Sequence, residues 1–364
     1  MYIKDIELHK FRNYSDIKVS FDDKINLFLG DNAQGKTNLL EGIYLNALGR
    51  SFRVSRDKEL IKFGEDYCRI KSSFISSGDE RMTEIVIRRD GKKGIKADGI
   101  RIVKASELLD RLFIIVFSPE DLKIVKEDPE KRRRFIDSEL CQIRVGYLSD
   151  LNEYRRVLRQ RNSYLKGENI DMDMLAVWDM QLAATGKRII EKRKNFIEKI
   201  DIISRDIHDR ISGGKEKLEL KYEPCEFDPE RTGEDIRKRT TMHGPHRDDF
   251  RISANGVDLR KFGSQGQQRT AALSLKLSEI KIIEEEKGEK PVLLLDDVLS
   301  ELDNERQILL MNMLGENQMF ITTTDLTDEV KENLPEGKII FIREGNIIRE
   351  DNISCKNDIH QNTT

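Results

Sequence analysis

The sequence predicts an α/β fold in which a mixed sheet surrounds a phosphate-binding loop and a helical arm is inserted into the chain. An apolar strand at residues 25–29 runs directly into a glycine-rich loop and then into an amphipathic helix. A long, charged stretch with helical periodicity follows, and the α/β pattern returns after it. We therefore expect one head, formed by residues 1–122 and 240–364, with an arm at residues 123–239.

The composition predicts a protein that is neither a membrane protein nor a secreted one. The 364 residues carry a formal net charge of −3, and 36% of them are charged. No apolar run reaches the roughly 18 residues of a membrane span, and the start, MYIKDIELHK, lacks the apolar stretch of a signal peptide. The four cysteines are far apart and form no CxxC pair, which predicts a cytoplasmic protein without a zinc site.

The first 120 or so residues are predicted to be rich in strands. Ile6 and Leu8 alternate with polar neighbours, which is the pattern of a half-buried strand. Two Asp-Gly dipeptides further along are typical of hairpin turns. The apolar run at residues 112–117 predicts a buried strand that closes this part of the head.

The stretch 123–239 is predicted to be helical. Leu151, Leu158 and Leu165 recur every seven residues, and a second run with helical spacing follows a break at residues 167–171. Two helical runs joined by a short break predict a pair of antiparallel helices. With some 30 residues in each, these helices would be about 45 Å long.

Residues 30–37 match the pattern G-x-x-x-x-G-K-[ST] between a strand and a helix. Glycines let backbone N–H groups wrap a phosphate, and the helix N-terminus adds positive potential. Lys36 is expected to reach the β- and γ-phosphates of ATP while the Thr37 hydroxyl holds Mg²⁺. The predicted nucleotide contacts in this stretch are Gly30, Asp31, Asn32, Ala33, Gln34, Gly35, Lys36, Thr37 and Asn38.

A second buried strand ends in two carboxylates. Residues 292–295 are apolar and run into Asp296 and Asp297. Asp296 is predicted to lie beside the Thr37 hydroxyl and to orient the Mg²⁺ shell. Asp297 follows at once and is predicted to position or activate a water, so Lys36, Asp296 and Asp297 are catalytic candidates.

Residues 264–268, with the sequence SQGQQ, stand at the start of a predicted helix and resemble the signature loop of ABC-type ATPases. In that superfamily the signature of one subunit caps the γ-phosphate held by another. The resemblance therefore makes Ser264 a catalytic candidate and Gln267 a nucleotide contact. A helix N-terminus with a serine hydroxyl suits an anion. Residues 300–303 resemble the D-loop of the same superfamily.

The chain departs from the ABC pattern at three places. Asp297 stands where the catalytic base is usually Glu, and its shorter side chain predicts slow hydrolysis. Residues 118–121 stand where a Q-loop glutamine is expected, and residues 323–325 replace the switch histidine. We therefore expect a weak ATPase that serves as a timer or conformational switch.

The chain as a whole is similar to the RecF family of bacterial recombination mediators, within the ABC/SMC ATPases. Besides the loops above, the resemblance rests on residues 11–14, 51–53, 117–122 and 244–249. It implies an SMC-like head with a short arm, ATP and Mg²⁺ as cofactors, and an ATP-dependent homodimer. It also implies binding of double-stranded DNA near single-strand gaps, and cooperation with RecR and RecO in loading RecA.

Two arginines outside the loop are further candidates. By similarity to SMC-type heads, Arg12 is expected to contact the ATP phosphates, because it follows the first strand near the loop. Arg53 is a second candidate of the same kind. The alternative for Arg12 is a surface salt bridge.

Basic residues cluster in the arm and at its root. Residues 123–166 contain twelve Lys or Arg against seven Asp or Glu, whereas residues 279–305 are strongly acidic. Such clusters bind a phosphate backbone with salt-dependent affinity, although a solvated helix laced with ion pairs has the same composition. The predicted DNA contacts are Lys131, Arg132, Arg133, Arg155 and Arg159.

Two functions from other classes stay open. The nucleotide-binding subunit of an ABC transporter would share the phosphate loop and the signature, but the long arm between Lys36 and Asp296 disfavours it. A structural SMC-like tether is disfavoured because the arm is short and carries no CxxC hinge. An ATP-switched DNA-binding protein is therefore the favoured hypothesis.

Overall fold

The computed structural model describes residues 1–301, 304–324 and 336–353. The chain forms two compact units. The first unit joins Met1–Pro119 to the chain from Ile283 onward, and the second unit is Glu120–Ile282. The second unit is therefore wider than the predicted arm at 123–239, because it also takes in residues 240–282.

The strands of the described residues, in chain order, are β1 (Tyr2–His9), β2 (Asp16–Ser20), β3 (Ile25–Leu29), β4 (Tyr67–Ser76), β5 (Asp79–Arg88), β6 (Lys93–Ala97), β7 (Ile100–Ile102), β8 (Ile114–Phe117), β9 (Leu218–Glu223), β10 (Asp249–Ala254), β11 (Val257–Asp258), β12 (Val292–Asp296), β13 (Met319–Thr323), β14 (Gly337–Arg343) and β15 (Asn346–Ile353). The α-helices are α1 (Lys36–Leu48), α2 (Leu122–Lys126), α3 (Pro129–Ile143), α4 (Val145–Tyr164), α5 (Met172–Ser212), α6 (Thr232–Lys238), α7 (Leu259–Phe262), α8 (Gln265–Lys287) and α9 (Asn304–Leu314).

A largely parallel sheet forms the centre of the first unit, with the strand order β15-β14-β3-β13-β12-β8. The strands from β14 to β8 are parallel, and β15 is antiparallel to β14. The central strands are nearly continuous apolar runs because both faces of such a sheet are covered. Since β3 and β12 flank β13, the loop after β3 and the carboxylates after β12 meet at one edge.

A second sheet of the first unit is antiparallel, with the order β2-β1-β4-β5-β6-β7. Buried and more exposed residues alternate along β4 and β5, as expected when one face of a sheet packs on a core. Asp90 and Gly91 lie in the turn between β5 and β6, and Asp98 and Gly99 form the turn between β6 and β7, which confirms both predicted hairpins.

Two antiparallel helices dominate the second unit. Arg161 of α4 binds Asp179 of α5, while Asp150, nearer the start of α4, binds Arg188, further along α5. The predicted pair of equal helices is wrong in length: α4 has 20 residues and α5 has 41, about 60 Å. Asp171 caps the start of α5 through its side chain.

A three-stranded sheet, β11-β10-β9, completes the second unit and was not predicted from the sequence. β9 pairs with β10, so the segment after α5 is joined to residues 249–254. This pairing explains why the compact unit extends past residue 239. Among the described residues, no helix is both long enough and apolar enough to span a membrane.

Candidate nucleotide-binding site

The glycine-rich loop leaves β3 and enters α1, and two of its positions require glycine. Gly30 has φ 155°, and a Cβ there would lie 2.3 Å from the carbonyl oxygen of Ile342. Gly35 has φ 120°, and a Cβ there would lie 2.7 Å from Nδ2 of Asn13. Neither position has room for a Cβ, so glycine lets the loop pack closely against its neighbours in this turn. Asp31, Asn32 and Ala33 are exposed at the tip of the loop.

Lys36 begins α1 and folds back over the loop. Its ammonium donates to the carbonyl oxygen of Gly30 and, at 2.8 Å, to that of Asp31. Burial lowers the pKa of Lys36, and the nearby carboxylates of Asp297, Asp31 and Asp296 oppose that shift. The structure therefore holds a desolvated cation inside a backbone cradle, which is the arrangement that a polyphosphate would complete.

Asp296 joins the two predicted halves of the site. Thr37 Oγ1 donates to Asp296 Oδ1 at 2.7 Å, and Thr322 Oγ1 donates to the same oxygen at 3.0 Å. Burial raises the pKa of Asp296, and both hydroxyls oppose the shift by stabilising the carboxylate. A hydroxyl and a carboxylate are hard oxygen donors of the type that Mg²⁺ prefers, so these residues fit the predicted metal site.

Asp297 follows with φ 54°, in the left-handed region that Asp tolerates better than most residues. Its backbone N–H donates to Thr322 Oγ1 at 2.9 Å, which fixes the backbone of the carboxylate pair. The sequence placed Asp296 beside Thr37, and the hydrogen bond confirms that placement. The catalytic roles of Asp296 and Asp297 stay predictions.

Arg12 does not form a surface salt bridge. Its guanidinium makes two hydrogen bonds, at 2.7 and 2.8 Å, to Glu41, whose side chain is fully buried in α1. Ser51 also donates to Glu41 at 2.5 Å, and Arg53 lies 3.6 Å from it. Glu41 was not singled out in the sequence, because an acidic residue on an amphipathic helix gives no signal of burial. Contact of Arg12 with ATP stays a prediction.

Residues just after β1 brace the loop and were also missed as site residues. Asn13 donates to the carbonyl oxygen of Gln34 at 3.0 Å and accepts from Asn38 at 2.8 Å. The Tyr14 hydroxyl donates to the carbonyl oxygen of Gly35 at 3.0 Å. The motif at residues 11–14 carried the only available signal. Asn13 and Tyr14, which follow β1, therefore hold the glycine-rich loop in place.

The predicted signature loop, residues 264–268, belongs to the second unit and forms a capping box at the start of α8. The N–H of Ser264 donates to Gln267 Oε1 at 2.9 Å, and the N–H of Gln267 donates to Ser264 Oγ at 3.3 Å. Ser264, Gln265 and Gly266 are exposed. The structure therefore presents the end of α8, with the Ser264 hydroxyl, to an incoming group.

A buried chain of polar groups holds Gln267 from behind. Gln267 Nε2 donates to Glu216 Oε1 at 3.0 Å, and the other oxygen of Glu216 lies 3.1 Å from Nε2 of His208 in α5. Nδ1 of His208 lies 3.0 Å from the Ser274 hydroxyl. Burial lowers the pKa of His208, with Glu216 acting in the opposite direction. The end of α5 is thus connected to the signature loop through side chains.

The predicted DNA contacts divide into buried and accessible residues. Arg132 is only 3% exposed and makes hydrogen bonds at 2.6 and 2.9 Å to Asp249, so its prediction as a DNA contact is wrong. Arg155 and Arg159 are exposed on α4, and Lys131 and Arg133 are half-buried. These four stay candidates. The predicted D-loop and switch segments lie partly outside the described residues, since Leu302, Asp303 and Asp325 are not among them.

Comparison with known proteins gives concordant matches. Residues 2–345 match the family described as the RecF/RecN/SMC N-terminal domain. The chain is 47% identical over 357 residues to the DNA replication and repair protein RecF of Agathobacter rectalis, covering 95% of this chain and 99% of that protein. It is also similar to a solved structure described as the recombination mediator protein RecF-ATP in the RecFOR pathway. That match has a TM-score of 0.88 and 40% identity, and covers 97% of this chain and 98% of the other.

A more distant structural match concerns the fold alone. An Smc head bound to the C-terminal winged-helix domain of ScpA has a TM-score of 0.60 and 20% identity, and covers 98% of each chain. Together these matches confirm the predicted α/β fold of the ABC/SMC type.

Proposed function

The chain belongs to the RecF family, and from that premise we propose that it is an ATP-controlled DNA-binding protein that mediates recombinational repair. The observation that carries the nucleotide half of this proposal is the 2.7 Å hydrogen bond from Thr37 to Asp296, which joins two motifs 259 residues apart. The role in repair rests on the similar proteins, which are named for replication, repair and recombination mediation.

We infer that ATP binds along the loop of residues 30–37, with Lys36 turned from its backbone acceptors toward the β- and γ-phosphates. Thr37 and Asp296 would hold Mg²⁺, which neutralises phosphate charge when bound. Asp297 would orient a water for attack. Its carboxylate is one methylene shorter than the Glu usual at this position, which supports slow hydrolysis and the use of ATP as a timer.

The second step of the proposal is ATP-dependent homodimerisation. The exposed Ser264 at the start of α8 is suited to bind the γ-phosphate held by the loop of another subunit. A site completed by two copies makes dimerisation depend on the terminal phosphate. Hydrolysis would then remove the group that links the copies, and the dimer would separate.

The ATP-bound dimer is proposed to clamp double-stranded DNA near single-strand gaps. Arg155 and Arg159 lie four residues apart on α4 and are exposed, so they share one helix face. Release of DNA would follow hydrolysis. RecR, RecO and RecA are the proposed partners, because one similar protein is described as acting in the RecFOR pathway.

Sedimentation with ATP, ADP and duplex DNA tests this function. We expect a dimer only with ATP, and duplex DNA bound by that dimer. Lys36→Met should sediment as a monomer at every ATP concentration, and a dimer of this variant would contradict the mechanism. ATP-dependent dimers that bind no DNA would favour a transporter subunit, whereas DNA binding independent of nucleotide would favour a structural tether.

A further inference from the structure

A cavity of about 260 Å³ opens in the second unit, and its lining includes none of the residues assigned to nucleotide. Helices α3, α4 and α5 form its walls together with the segment 244–249. Apolar side chains line part of it, including Leu151, Leu158 and Ile189. Four arginines, two carboxylates and one histidine line the rest, so the cavity is not an ordinary packing defect.

The segment 244–249 is built to form the floor of this cavity. Gly244 has φ 135°, and a Cβ there would lie 2.4 Å from the Tyr154 hydroxyl. The Asp248 carboxylate is buried and accepts hydrogen bonds from Arg193 at 2.8 Å and from the Tyr222 hydroxyl. Asp249 is paired with Arg132. Both acidic side chains of the segment are therefore paired, Asp248 with the lining residue Arg193 and Asp249 with Arg132.

Among the described residues, Arg133 is the arginine of this cavity for which no ion pair is found. It is half-buried and donates to the backbone carbonyl oxygen of Asp248 at 2.7 Å. Within the described part of the chain, no carboxylate is recorded within 4.0 Å of it. The neighbouring arginines are paired: Arg134 with Glu130 at 2.6 Å and Arg193 with Asp137 at 2.8 Å. Burial and the charge of Arg193 lower the pKa of Arg133, and the more distant carboxylates of Asp249, Asp248 and Glu130 oppose that shift.

His246 contributes polarity to the cavity without charge. Its Nε2 lies 3.1 Å from the carbonyl oxygen of Thr241, so this nitrogen carries the proton and Nδ1 accepts from the Tyr154 hydroxyl at 2.7 Å. Burial lowers the pKa of His246 to about 4, and the ring is neutral near pH 7. The lining carries four arginines against Glu130 and Asp137, and Asp248 neutralises one of them through its pair with Arg193, which leaves a formal balance of +1 that favours an anion.

We propose that this cavity binds a phosphate group, with Arg133 as the principal contact and Arg134 and Arg155 at its rim. Guanidinium groups bind phosphate through paired hydrogen bonds, and the half-buried position of Arg133 strengthens that interaction. The phosphate is a backbone phosphate of the bound DNA, since Arg155 and Arg159 continue the basic face along α4. The assignment of this phosphate to DNA rests on the proposed DNA binding. The proposal that the cavity binds a phosphate group does not depend on it.

The test uses the full chain with saturating Mg·ADP or Mg·ATP. ATP fills the loop at 30–37, and with ADP, which leaves the γ-phosphate position open, the phosphate bound at the cavity is the part that is lost in Arg133→Gln. Arg133→Gln keeps a donor for the Asp248 carbonyl and removes the charge. Arg205→Gln is the matched control, because Arg205 is an exposed, paired arginine further along α5. Arg155→Gln, an exposed position, gives a second variant of the pocket should Arg133→Gln fold poorly.

Two titrations are made with each variant: inorganic phosphate by calorimetry with Mg·ADP, and duplex DNA with Mg·ATP over a range of salt. We expect Arg133→Gln to abolish phosphate binding at the cavity and to reduce the slope of log K against log salt by about one, the value for one lost contact. Arg205→Gln should change neither. Circular dichroism checks that each variant is folded.

The outcomes separate the pocket from the proposed function. Lost phosphate binding with an unchanged DNA slope would keep the pocket and assign it to a free phosphate. Phosphate binding through Arg133 in a protein that binds no DNA would keep the pocket and reject the proposed function. Phosphate and DNA binding that are the same in wild type, Arg133→Gln and Arg155→Gln would overturn the proposal.

Discussion

Asp296 receives hydrogen bonds from two hydroxyls on one carboxylate oxygen, in a buried position that favours its neutral form. A divalent cation would favour the charged form instead. We therefore expect the contribution of Asp296 to ATP binding to depend strongly on Mg²⁺. Asp296→Asn should weaken binding of Mg·ATP at least tenfold and leave binding of metal-free ATP nearly unchanged. Titration of a fluorescent ATP analogue with Mg²⁺ or with EDTA measures both. Asp297→Asn is the control: it should bind Mg·ATP normally and prolong the ATP-bound dimer. Equal losses with and without Mg²⁺ would reject the metal role.

His246 should make the protein sensitive to acid. Its pKa falls from 6.5 to about 4 in the folded chain because of burial, with Arg247 and Arg133 acting in the same direction and Asp235 against it. Between these values the unfolded chain binds more protons, so stability is present above about pH 6.5 and is lost as the pH falls toward 4. The loss amounts to at most about 3 kcal/mol. Urea unfolding of wild type and His246→Gln at several pH values should show a shallower pH dependence in the variant. Parallel curves would contradict this role.

The pairing of α4 with α5 depends on ion pairs of two kinds. Arg161 is fully buried and binds Asp179 and Asp235 at 2.6 and 2.7 Å, whereas Arg188 is 45% exposed and binds Asp150 at 2.9 Å. Breaking a buried pair leaves a charge without compensation, so Arg161→Ala should lower the free energy of unfolding by about 3–5 kcal/mol. Arg188→Ala, the matched surface change, should cost under about 1 kcal/mol. Chemical denaturation measures the free energy of unfolding of both variants. Similar losses would show that the burial of the ion pair does not determine its contribution to stability.

The N-terminus of α8 is exposed and carries a capping box, and Gln267 is also held by Glu216. Ser264→Arg places bulk and positive charge at this end, so it should block pairing of two copies while ATP still binds each monomer. Ser264→Ala removes one cap hydrogen bond, costs about 1 kcal/mol of helix stability, and should still dimerise. Sedimentation with Mg·ATP compares the two. A dimer of Ser264→Arg would reject the signature assignment.

At the scale of the whole chain, the sequence predicted what contiguous motifs and parallel strands determine. The loop at 30–37 is one continuous pattern, and the meeting of Thr37 with Asp296 follows from placing two strands in one sheet. The pairs Arg12–Glu41 and Arg132–Asp249 could not be predicted, because a charged residue does not reveal its burial and its partner lies 29 or 117 positions away. The sheet formed by β9, β10 and β11 was missed for the same reason, since its pairing joins segments on either side of α6.

Counting charged residues in the sequence has the same limitation, because the count does not show which of them are buried. The basic excess of the arm predicted a DNA-binding surface, yet Arg132, Arg161 and Arg193 are buried in ion pairs and present no charge to solvent. The charge available to an anion is therefore smaller than the sequence total, because two of the twelve basic residues between 123 and 166, Arg132 and Arg161, are buried. The salt dependence of DNA binding should therefore reflect fewer contacts than the sequence count.

The division into two units predicts that nucleotide stabilises the chain unevenly. Trp178 is the one tryptophan and lies in α5, so its fluorescence reports on the second unit alone. Under the proposed function Mg·ADP would bind the loop of the first unit without completing a dimer, and at a hundred times its Kd it should stabilise that unit by about 2.7 kcal/mol. Hydrogen exchange in β3, β12 and α1 should then slow by about a hundredfold, while the thermal midpoint reported by Trp178 stays within a degree or so. Lys36→Met should abolish the change in exchange. An equal stabilisation of the first unit and of the region around Trp178 would contradict this prediction. It would show that the chain unfolds as one cooperative unit and that nucleotide binding also stabilises the arm.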